Sequence, residues 1–295
     1  MTRSRKANSS PVSGFGIPEP PRTPAPGVAL VQAPADRQPP AGRSSDIRSR
    51  PLDPFIGSSA AIRDLSRRAS RVAATGHDVL ILGEPGVGKR TLARWLHANG
   101  PRRGHPLVEV PCPSLTEEQL DATLFGQAEG AFAGARGRQG LAELAEGGAL
   151  LLVSVETLTL ALQTKLIHVL EAGVFRRRGE LRSRRLDVQV LATAGPDLPG
   201  RARDGRFRGA FYFRLAALTL ELPPLRERPE DLAALATAVQ GLGGRRPGAR
   251  LQPGRVADLL RARAWRGNIA ELVAVLSRDH GLQGLTEDAV EGMST

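Results

Sequence analysis

A glycine-rich turn between a predicted strand and a predicted helix constrains the fold of this chain more than any other feature. The turn reads G-E-P-G-V-G-K and runs from Gly83 to Lys89, directly after the apolar residues 79–82. Apolar residues at Leu92, Trp95 and Leu96 follow it at helical spacing. In this context the G-x-x-x-x-G-K spacing points backbone N–H groups at a polyphosphate, with the Lys89 ammonium between the outer phosphates. An ordinary glycine-rich turn is the alternative.

The predicted cofactor is therefore ATP or ADP. We expect its phosphates to contact a set of residues that we call the phosphate loop: Gly83, Glu84, Pro85, Gly86, Val87, Gly88, Lys89, Arg90 and Thr91. Arg90 stands where such loops usually carry a Ser or Thr that binds magnesium, so Mg²⁺ is left open as a second cofactor. The 5 histidines show no metal-ligand spacing, and no metal site is predicted from the sequence.

The composition excludes membrane-spanning and disulfide-rich secreted proteins. Of 295 residues, 41% are hydrophobic, which is enough for the core of one large or two smaller domains. The single Cys cannot form an internal disulfide, and no apolar run approaches the length of a membrane span. The basic N-terminus is not followed by the apolar segment of a secretory signal. We predict a cytoplasmic protein.

The net charge of +11 favours acidic partners, such as nucleic acid, nucleotides or acidic protein faces. Arg supplies nearly all of this charge, because Lys occurs only at Lys6, Lys89 and Lys165. A scattered Arg excess is more typical of a composition bias than of a binding surface. Charge alone therefore leaves nucleic-acid binding as a minor hypothesis.

Composition and hydrophobic periodicity divide the chain into distinct segments. Residues 1–51 are rich in Pro, Ser, Arg and Gly and are predicted to form a disordered leader. Residues 52–228 alternate helical patterns with short apolar strands, which is typical of an α/β domain with a parallel sheet. Residues 229–280 carry only helical patterns and predict a small all-helical domain, followed by a short tail at 281–295.

The predicted strands are 79–82, 107–110, 149–153, 188–192 and 218–222. The predicted helices include 160–170 in the α/β domain, and 230–240, 253–262 and 268–279 in the helical domain. A capping box, T-E-E-Q at 116–119, predicts the start of another helix.

A series of longer motifs runs through residues 55–276. They read F-I-G-S-S at 55–59, G-E-P-G-V-G-K at 83–89, L-F-G-Q-A-E-G-A-F-A-G-A at 124–135, G-G-A-L-L-L at 147–152, L-A-L-Q-T-K-L at 160–166, G-R-F-R-G-A-F-Y-F-R-L at 205–215, L-P-P-L-R-E-R at 222–228 and W-R-G-N-I-A-E-L at 265–272. In content and order they resemble the AAA+ ATPase domain of bacterial sigma-54-dependent transcriptional activators, the enhancer-binding proteins. This resemblance implies a P-loop AAA+ fold followed by a helical lid domain.

The family forms rings, binds ATP between neighbouring subunits and pushes a G-A-F-T-G-A loop against sigma-54. The resemblance therefore implies sigma-54 RNA polymerase, or a related AAA+ subunit, as partner. The corresponding loop here is Gly130, Ala131, Phe132, Ala133, Gly134 and Ala135, with Ala133 in place of the threonine. Its glycines can still shape a tight tip, but the lost hydroxyl hydrogen bond is worth about 1 kcal/mol. We expect a weakened contact with sigma-54.

The family ends its central strand with Asp-Glu, where this chain has Val153 and Ser154. The Asp helps to hold magnesium and the Glu activates the attacking water, and neither role is open to these side chains. Loss of a general base costs about 10² to 10⁴ in rate. Glu156 is the nearest acidic residue, and we expect it to be a solvated residue at a helix start rather than a relocated base.

Further positions that the family uses to read or regulate the nucleotide have also changed. The Asn that senses the γ-phosphate corresponds to Gly195, the Arg that reaches phosphate from the lid to Ala270, and the Asn that switches the catalytic Glu to Pro111. Groups that act as a unit do not contribute independently once one is lost. The pattern indicates relaxed constraint on hydrolysis, that is, a degenerate member.

Arginines of the family motifs remain. Arg208 and Arg214 match the family's arginine fingers, which act in trans on a neighbour's nucleotide, and surface arginines are an equally good interpretation. F-R-R-R-G-E-L-R-S-R-R at 175–185 lies where the family has a second pore loop. It would line a positive channel in a ring, or be a solvated loop in a monomer.

The leading functional hypothesis is an ATP-binding regulator of transcription with hydrolysis impaired or lost. The alternatives are an active AAA+ ATPase that remodels sigma-54 polymerase through Glu156 or a partner's carboxylate, and a basic nucleic-acid-binding regulator. Whether the chain is an enzyme is left open. We expect no helix-turn-helix after the helical domain, and hence no direct enhancer binding.

Overall fold

The computed structural model describes residues 30–31, 53–114, 116–131, 137–242 and 263–278. A parallel sheet of five strands forms its centre, which confirms the predicted α/β class. The strands of the whole structure are β1 Leu30–Val31, β2 Val79–Leu82, β3 Leu107–Pro111, β4 Gly126–Gln127, β5 Arg138–Gln139, β6 Ala149–Val153, β7 Val174–Phe175, β8 Arg184–Arg185, β9 Gln189–Ala194 and β10 Thr219–Glu221. The large sheet has the order β1-β3-β6-β9-β2-β10, and all its pairs except β1–β3 are parallel.

Helices cover both faces of this sheet. They are α1 Ala60–Thr75, α2 Lys89–Ala98, α3 Glu117–Phe125, α4 Leu141–Leu144, α5 Leu160–Ala172, α6 Leu198–Arg203, α7 Gly209–Leu215, α8 Leu232–Leu242 and α9 Asn268–Arg278. Short 3-10 helices lie at Cys112–Ser114, Val155–Thr157, Leu225–Glu227 and Pro229–Asp231. The predicted helix at 253–262 lies outside the described residues.

Two apolar cores lie on opposite faces of the sheet, because successive strand side chains point to opposite sides. Val79 and Ile81 of β2 pack with Leu92 of α2 in one core. Leu80 and Leu82 pack in the other, together with Leu162 of α5. With both faces covered, β2 and β6 are buried along their whole length, and they read as continuous apolar runs in the sequence.

The helical lid has its own core, with Trp265 and Leu272 packed against Leu232 and Leu225. Its first predicted helix starts later than expected, at Leu232 rather than residue 230, after the 3-10 turn Pro229–Asp231. The reason is Asp231, which is fully buried and accepts hydrogen bonds from Ser58 N, Ser59 N and Ser59 Oγ at 2.6, 2.8 and 2.6 Å. These bonds connect the lid to the segment before α1.

The capping box is confirmed, because the Thr116 and Gln119 side chains bond each other's backbone N–H groups at the start of α3. The predicted disorder of residues 1–51 lies mostly outside the described residues. Within that segment Leu30–Val31 form β1, antiparallel to β3, which differs from the expectation of a structureless leader. A strand at the edge of a sheet offers unpaired backbone groups to any neighbouring segment. In the described part of the chain, no helix combines the length and apolarity needed to cross a membrane.

Candidate nucleotide-binding site

The phosphate loop connects β2 to α2 at the carboxyl end of the sheet, as predicted. The Lys89 ammonium donates to the carbonyl oxygens of Gly83 and Glu84 at 2.6 and 2.8 Å. Burial lowers the pKa of Lys89, and attraction to Glu156 and Glu84 opposes this effect. Gly86 has φ +76°, a left-handed conformation that favours glycine. The structure thus brings the predicted residues 83–91 together in one turn between β2 and α2, and their contact with the phosphates of a nucleotide stays a prediction.

The start of α9 contacts this loop, and sequence analysis missed most of these contacts. Asn268 donates from Nδ2 to Pro85 O at 2.9 Å and to Glu84 Oε2 at 3.1 Å. Its Oδ1 accepts from Leu225 N at 2.8 Å. Ala270 N donates to Gly86 O at 3.2 Å. Ala270 stands where the family has the Arg that reaches phosphate, and here the backbone of that position contacts the phosphate loop. The Asn in W-R-G-N was the sequence signal for a special backbone conformation at this position, since Asn tolerates the left-handed φ of +54° found here.

Arg226 forms a second missed contact with the phosphate loop. Its guanidinium donates to both carboxylate oxygens of Glu84, at 2.6 and 2.8 Å. This bond, followed by the bond from Asn268, holds the pKa of Glu84 below its ordinary value. Glu84 therefore connects the loop to the lid and to the 3-10 turn Leu225–Glu227.

The end of β6 carries no carboxylate. Val153 is buried and lies in register with Pro111 of β3. Ser154 adopts a left-handed conformation with φ +58°, and its N–H donates to Thr193 Oγ1 at 3.0 Å. Among the described residues, no group of three or more His, Cys, Asp or Glu side chains could hold a metal ion. The residues at this strand end therefore do not fit the carboxylate magnesium site that the family has at this position.

Glu156 differs from its prediction. We expected a solvated side chain, but Glu156 is half-buried and its Oε1 accepts a hydrogen bond from Gly195 N at 3.2 Å. Glu156 does lie at a helix start, in the 3-10 helix Val155–Thr157, but a left-handed turn at Ser154 precedes this helix. This turn places the Glu156 carboxylate against the end of β9.

Gly195 lies at the sensor position that the sequence indicated, directly after β9. Gly83 N donates to the preceding residue, Ala194 O, at 3.3 Å, so this position adjoins the phosphate loop. A Cβ at Gly195 would lie 2.7 Å from Asp197 Oδ1. Cys112, next to Pro111, is buried, and burial raises the pKa of its thiol to about 12.

The two predicted arginine fingers lie on and beside α7. Arg208 is exposed, and its Nε donates to Leu160 O at 2.8 Å. Arg214 forms an ion pair of 2.5 Å with Asp78 of its own chain. These contacts place both side chains in intramolecular bonds, and action on a neighbour's nucleotide stays a prediction.

The predicted partner-contact loop is described only at its start, at Gly130 and Ala131, and Phe132–Ala135 lie outside the described residues. Its base, β4 and β5, meets the hairpin of β7 and β8. Ala128 N donates to Arg178 O at 2.9 Å, and Arg178 N donates to Gly126 O at 3.0 Å. The base of the loop and the Arg-rich hairpin are therefore joined by backbone hydrogen bonds.

The Arg-rich hairpin at 175–185 is less open than a solvated loop would be. Arg177 donates twice to Glu143 of α4, at 2.6 Å each, and Arg184 donates to Glu180 at 3.0 and 3.1 Å. These bonds hold the pKa values of Glu143 and Glu180 below their ordinary values. Leu181, at the tip, is 92% exposed. Part of the hairpin's charge is thus neutralised within the chain.

Comparison with known proteins agrees with these observations. The family model described as "Sigma-54 interaction domain" matches residues 55–221, more than half of the chain. The nitric oxide reductase transcription regulator NorR2 of Cupriavidus necator is 44% identical over 227 residues, which cover 76% of this chain and 44% of that protein. The response regulator protein FleR of Pseudomonas aeruginosa is 40% identical over 234 residues, covering 78% and 50%. The chain spans about half the length of the curated relatives it matches.

Solved structures show the same fold. NtrX from Brucella abortus in complex with ADP superposes with a TM-score of 0.69 at 29% identity, covering 76% of this chain and 50% of that one. The complex of the same protein with ATP gives a TM-score of 0.70, also at 29% identity, and covers 79% and 53%. With the phosphate loop, the parallel sheet and the lid in place, the chain belongs to the sigma-54 interaction domain family and has its P-loop AAA+ fold.

Proposed function

We propose that this chain binds ATP or ADP and regulates transcription as a sigma-54-activator-type AAA+ protein, with hydrolysis that is slow or lost. The observation that carries the proposal is the pairing of a formed phosphate loop with a central strand that ends in Val153 and Ser154. Nucleotide binding is supported by the Lys89 contacts and by the complexes of NtrX with ADP and ATP. Family membership supports a role in transcription through contact with sigma-54.

Impaired hydrolysis follows from the chemistry at the end of β6. An aliphatic side chain at residue 153 supplies no oxygen to a cation, and a serine hydroxyl is a poor base at neutral pH. Ser154 N is already bonded to Thr193 Oγ1. The expected rate is lower by about 10² to 10⁴ than that of an AAA+ domain with both carboxylates.

Ring assembly belongs to the same proposal. Arg208, at the start of α7, is exposed, and Phe213, near its end, is 75% exposed. In a ring these exposed side chains would meet neighbouring subunits, and Arg208 would serve a neighbour's nucleotide. An active partner subunit could then use this chain's arginine even if the chain itself does not turn over ATP.

The test combines binding with turnover. A fluorescent ATP analogue is titrated into the purified chain and into Lys89→Ala, and phosphate release is then measured for the chain and for Val153→Asp with Ser154→Glu. We expect binding that Lys89→Ala abolishes, slow release by the natural sequence, and release about 10²-fold or more faster after the double substitution. Steady hydrolysis at ordinary AAA+ rates by the natural sequence, abolished by Lys89→Ala, would refute the impairment. Absence of binding would refute the whole proposal.

A further inference from the structure

The chain turns sharply after β6, and this turn is well held. Thr157 donates to Ser154 O from its backbone N at 3.1 Å and from Oγ1 at 2.7 Å. Ser154 N is held from the other side by Thr193 Oγ1 of β9. The single residue pair between these anchors, Val155 and Glu156, therefore has a fixed direction: Val155 is fully buried in the core and Glu156 faces the end of β9.

Within the described ranges, only one oxygen of the Glu156 carboxylate accepts a hydrogen bond. Oε1 accepts from Gly195 N, whereas Oε2 is buried and receives no hydrogen bond from the described residues. A buried carboxylate oxygen without a donor is unfavourable, so such an oxygen indicates that a donor is supplied by something else at the site. The bond to Gly195 fixes the carboxylate so that its free oxygen keeps one orientation.

The Glu156 side chain lies close to the phosphate loop. Gly195 follows Ala194, whose carbonyl oxygen accepts from Gly83 N at 3.3 Å. Glu156 also attracts the Lys89 ammonium, the group that would bind the outer phosphates. Two other charged groups near the end of β9, Asp197 and Arg201, pair with each other at 2.6 Å. Of these neighbours, Glu156 is the one with a buried acceptor atom that receives no hydrogen bond from the described residues.

We propose that Glu156 is the catalytic carboxylate of this site and carries the slow hydrolysis that remains. In the step, a water molecule hydrogen-bonded to Oε2 attacks the terminal phosphorus of ATP. The new P–O bond forms as the bond between that phosphorus and the β–γ bridging oxygen breaks, ADP leaves with the electron pair, and Glu156 takes the proton of the water. The inference rests on the proposed function, because it requires that ATP binds at the phosphate loop.

The experiment compares the natural sequence with Glu156→Gln, which keeps an acceptor for Gly195 N but cannot take a proton or carry a charge. Glu171→Gln, on the exposed end of α5, is the matched control. Phosphate release is measured in single turnover with excess protein, and Lys89→Ala sets the background. Affinities for ATP and ADP are measured separately in EDTA, so that no divalent cation contributes.

We expect Glu156→Gln to slow phosphate release by about 10²-fold or more while Glu171→Gln leaves it unchanged. In EDTA the same variant should bind ATP about three- to tenfold more tightly relative to ADP, because a negative charge beside the terminal phosphate is gone. Unchanged release in Glu156→Gln, or no release above background by a natural chain that binds ATP, would overturn the proposal. So would slower release with an unchanged ATP-to-ADP ratio, since Glu156 would then act only by holding Gly195. Failure of the natural chain to bind nucleotide would instead refute the proposed function itself.

Discussion

Asn268, the first residue of lid helix α9, donates a hydrogen bond from Nδ2 to the carbonyl oxygen of Pro85 in the phosphate loop, at 2.9 Å. The two residues are 183 positions apart in the sequence. Asn268 is fully buried and also bonds Glu84 and Leu225. One side chain thus joins the phosphate loop, the lid and the connection between the two domains.

Replacing Asn268 with Ala should loosen this junction. The change leaves Pro85 O and Leu225 N without their partner in a buried region, and we expect a loss of about 2–3 kcal/mol in the free energy of unfolding. Chemical denaturation of both proteins measures it. Arg266→Ala, at an exposed neighbouring position, is the control and should change stability by less than about 0.5 kcal/mol. Equal stability of the Asn268 variant and the natural chain would show that the contact does not hold the lid.

The ion pair between Glu84 and Arg226 should make a pH-dependent contribution. Because Arg226 holds the folded-state pKa of Glu84 below its ordinary value, the stabilisation is fully present above the unfolded-state pKa. It is lost as the pH falls through the lower folded-state pKa. The Arg226 side chain is 48% exposed, so we expect only about 0.2–1 kcal/mol.

The difference in unfolding free energy between the natural chain and Glu84→Gln, measured from pH 7 down to pH 3, tests this expectation. The difference should be present at neutral pH and shrink in the acid range. Added salt should also reduce it, because the pair is partly exposed. A difference that grows as the pH falls would contradict the assigned sign.

Gly86 lies where the loop and the lid approach each other closely. A Cβ at this position would be 2.2 Å from Gly267 O, and the backbone has φ +76°. We expect Gly86→Ala to push the lid away or strain the loop, at about 1–3 kcal/mol, and to weaken ATP binding about tenfold. Titration with a fluorescent ATP analogue measures the effect. Gly104→Ala, where a Cβ would meet nothing within 4 Å, should bind ATP as tightly as the natural chain does. Equal ATP affinity of the two variants would argue against a close approach of the lid to Gly86.

Asp231 is the buried acceptor that connects the lid to residues 58–59. Nearby Arg228 is 1% exposed, burial lowers its pKa, and Asp231 opposes that effect. Asp231→Ala would remove the acceptor of Ser58 and Ser59 and leave the buried guanidinium without its counter-charge. We expect a loss of about 3–5 kcal/mol, seen as a lower midpoint in denaturant. Asp64→Ala, on the exposed face of α1, is the control and should change the stability little. A small loss of stability in Asp231→Ala would mean that another group stabilises Arg228.

The strands of the central sheet were predictable because their signal is local. Val79–Leu82 and Ala149–Val153 are buried on both faces and appear as continuous apolar runs, and their observed bounds equal the predicted ones. The capping box at Thr116 was equally local. Strand β9 starts one residue later and ends two residues later than predicted, because its polar ends, Gln189 and Thr193, are buried by hydrogen bonds to distant segments.

The contacts that complete the candidate site were not predictable in this way. The direction of Glu156 depends on a left-handed turn at Ser154 that Thr193 stabilises from a different strand. The closure of the lid depends on Asn268 and Arg226 meeting Glu84. The ion pair of Arg214, a candidate arginine finger, with Asp78 of its own chain is a further contact of this kind.

The amino-acid sequence alone was sufficient to predict the phosphate loop, the α/β class and the helical lid. It also showed that residues 153 and 154 carry no carboxylate. These follow from periodicity and from spacings within a few residues, where chain connectivity itself brings the groups together. Folding in three dimensions was needed to show where the Glu156 carboxylate points and which side chains join the loop to the lid. Those arrangements arise between segments far apart in the chain, and their partners are set by the packing of the sheet and the lid.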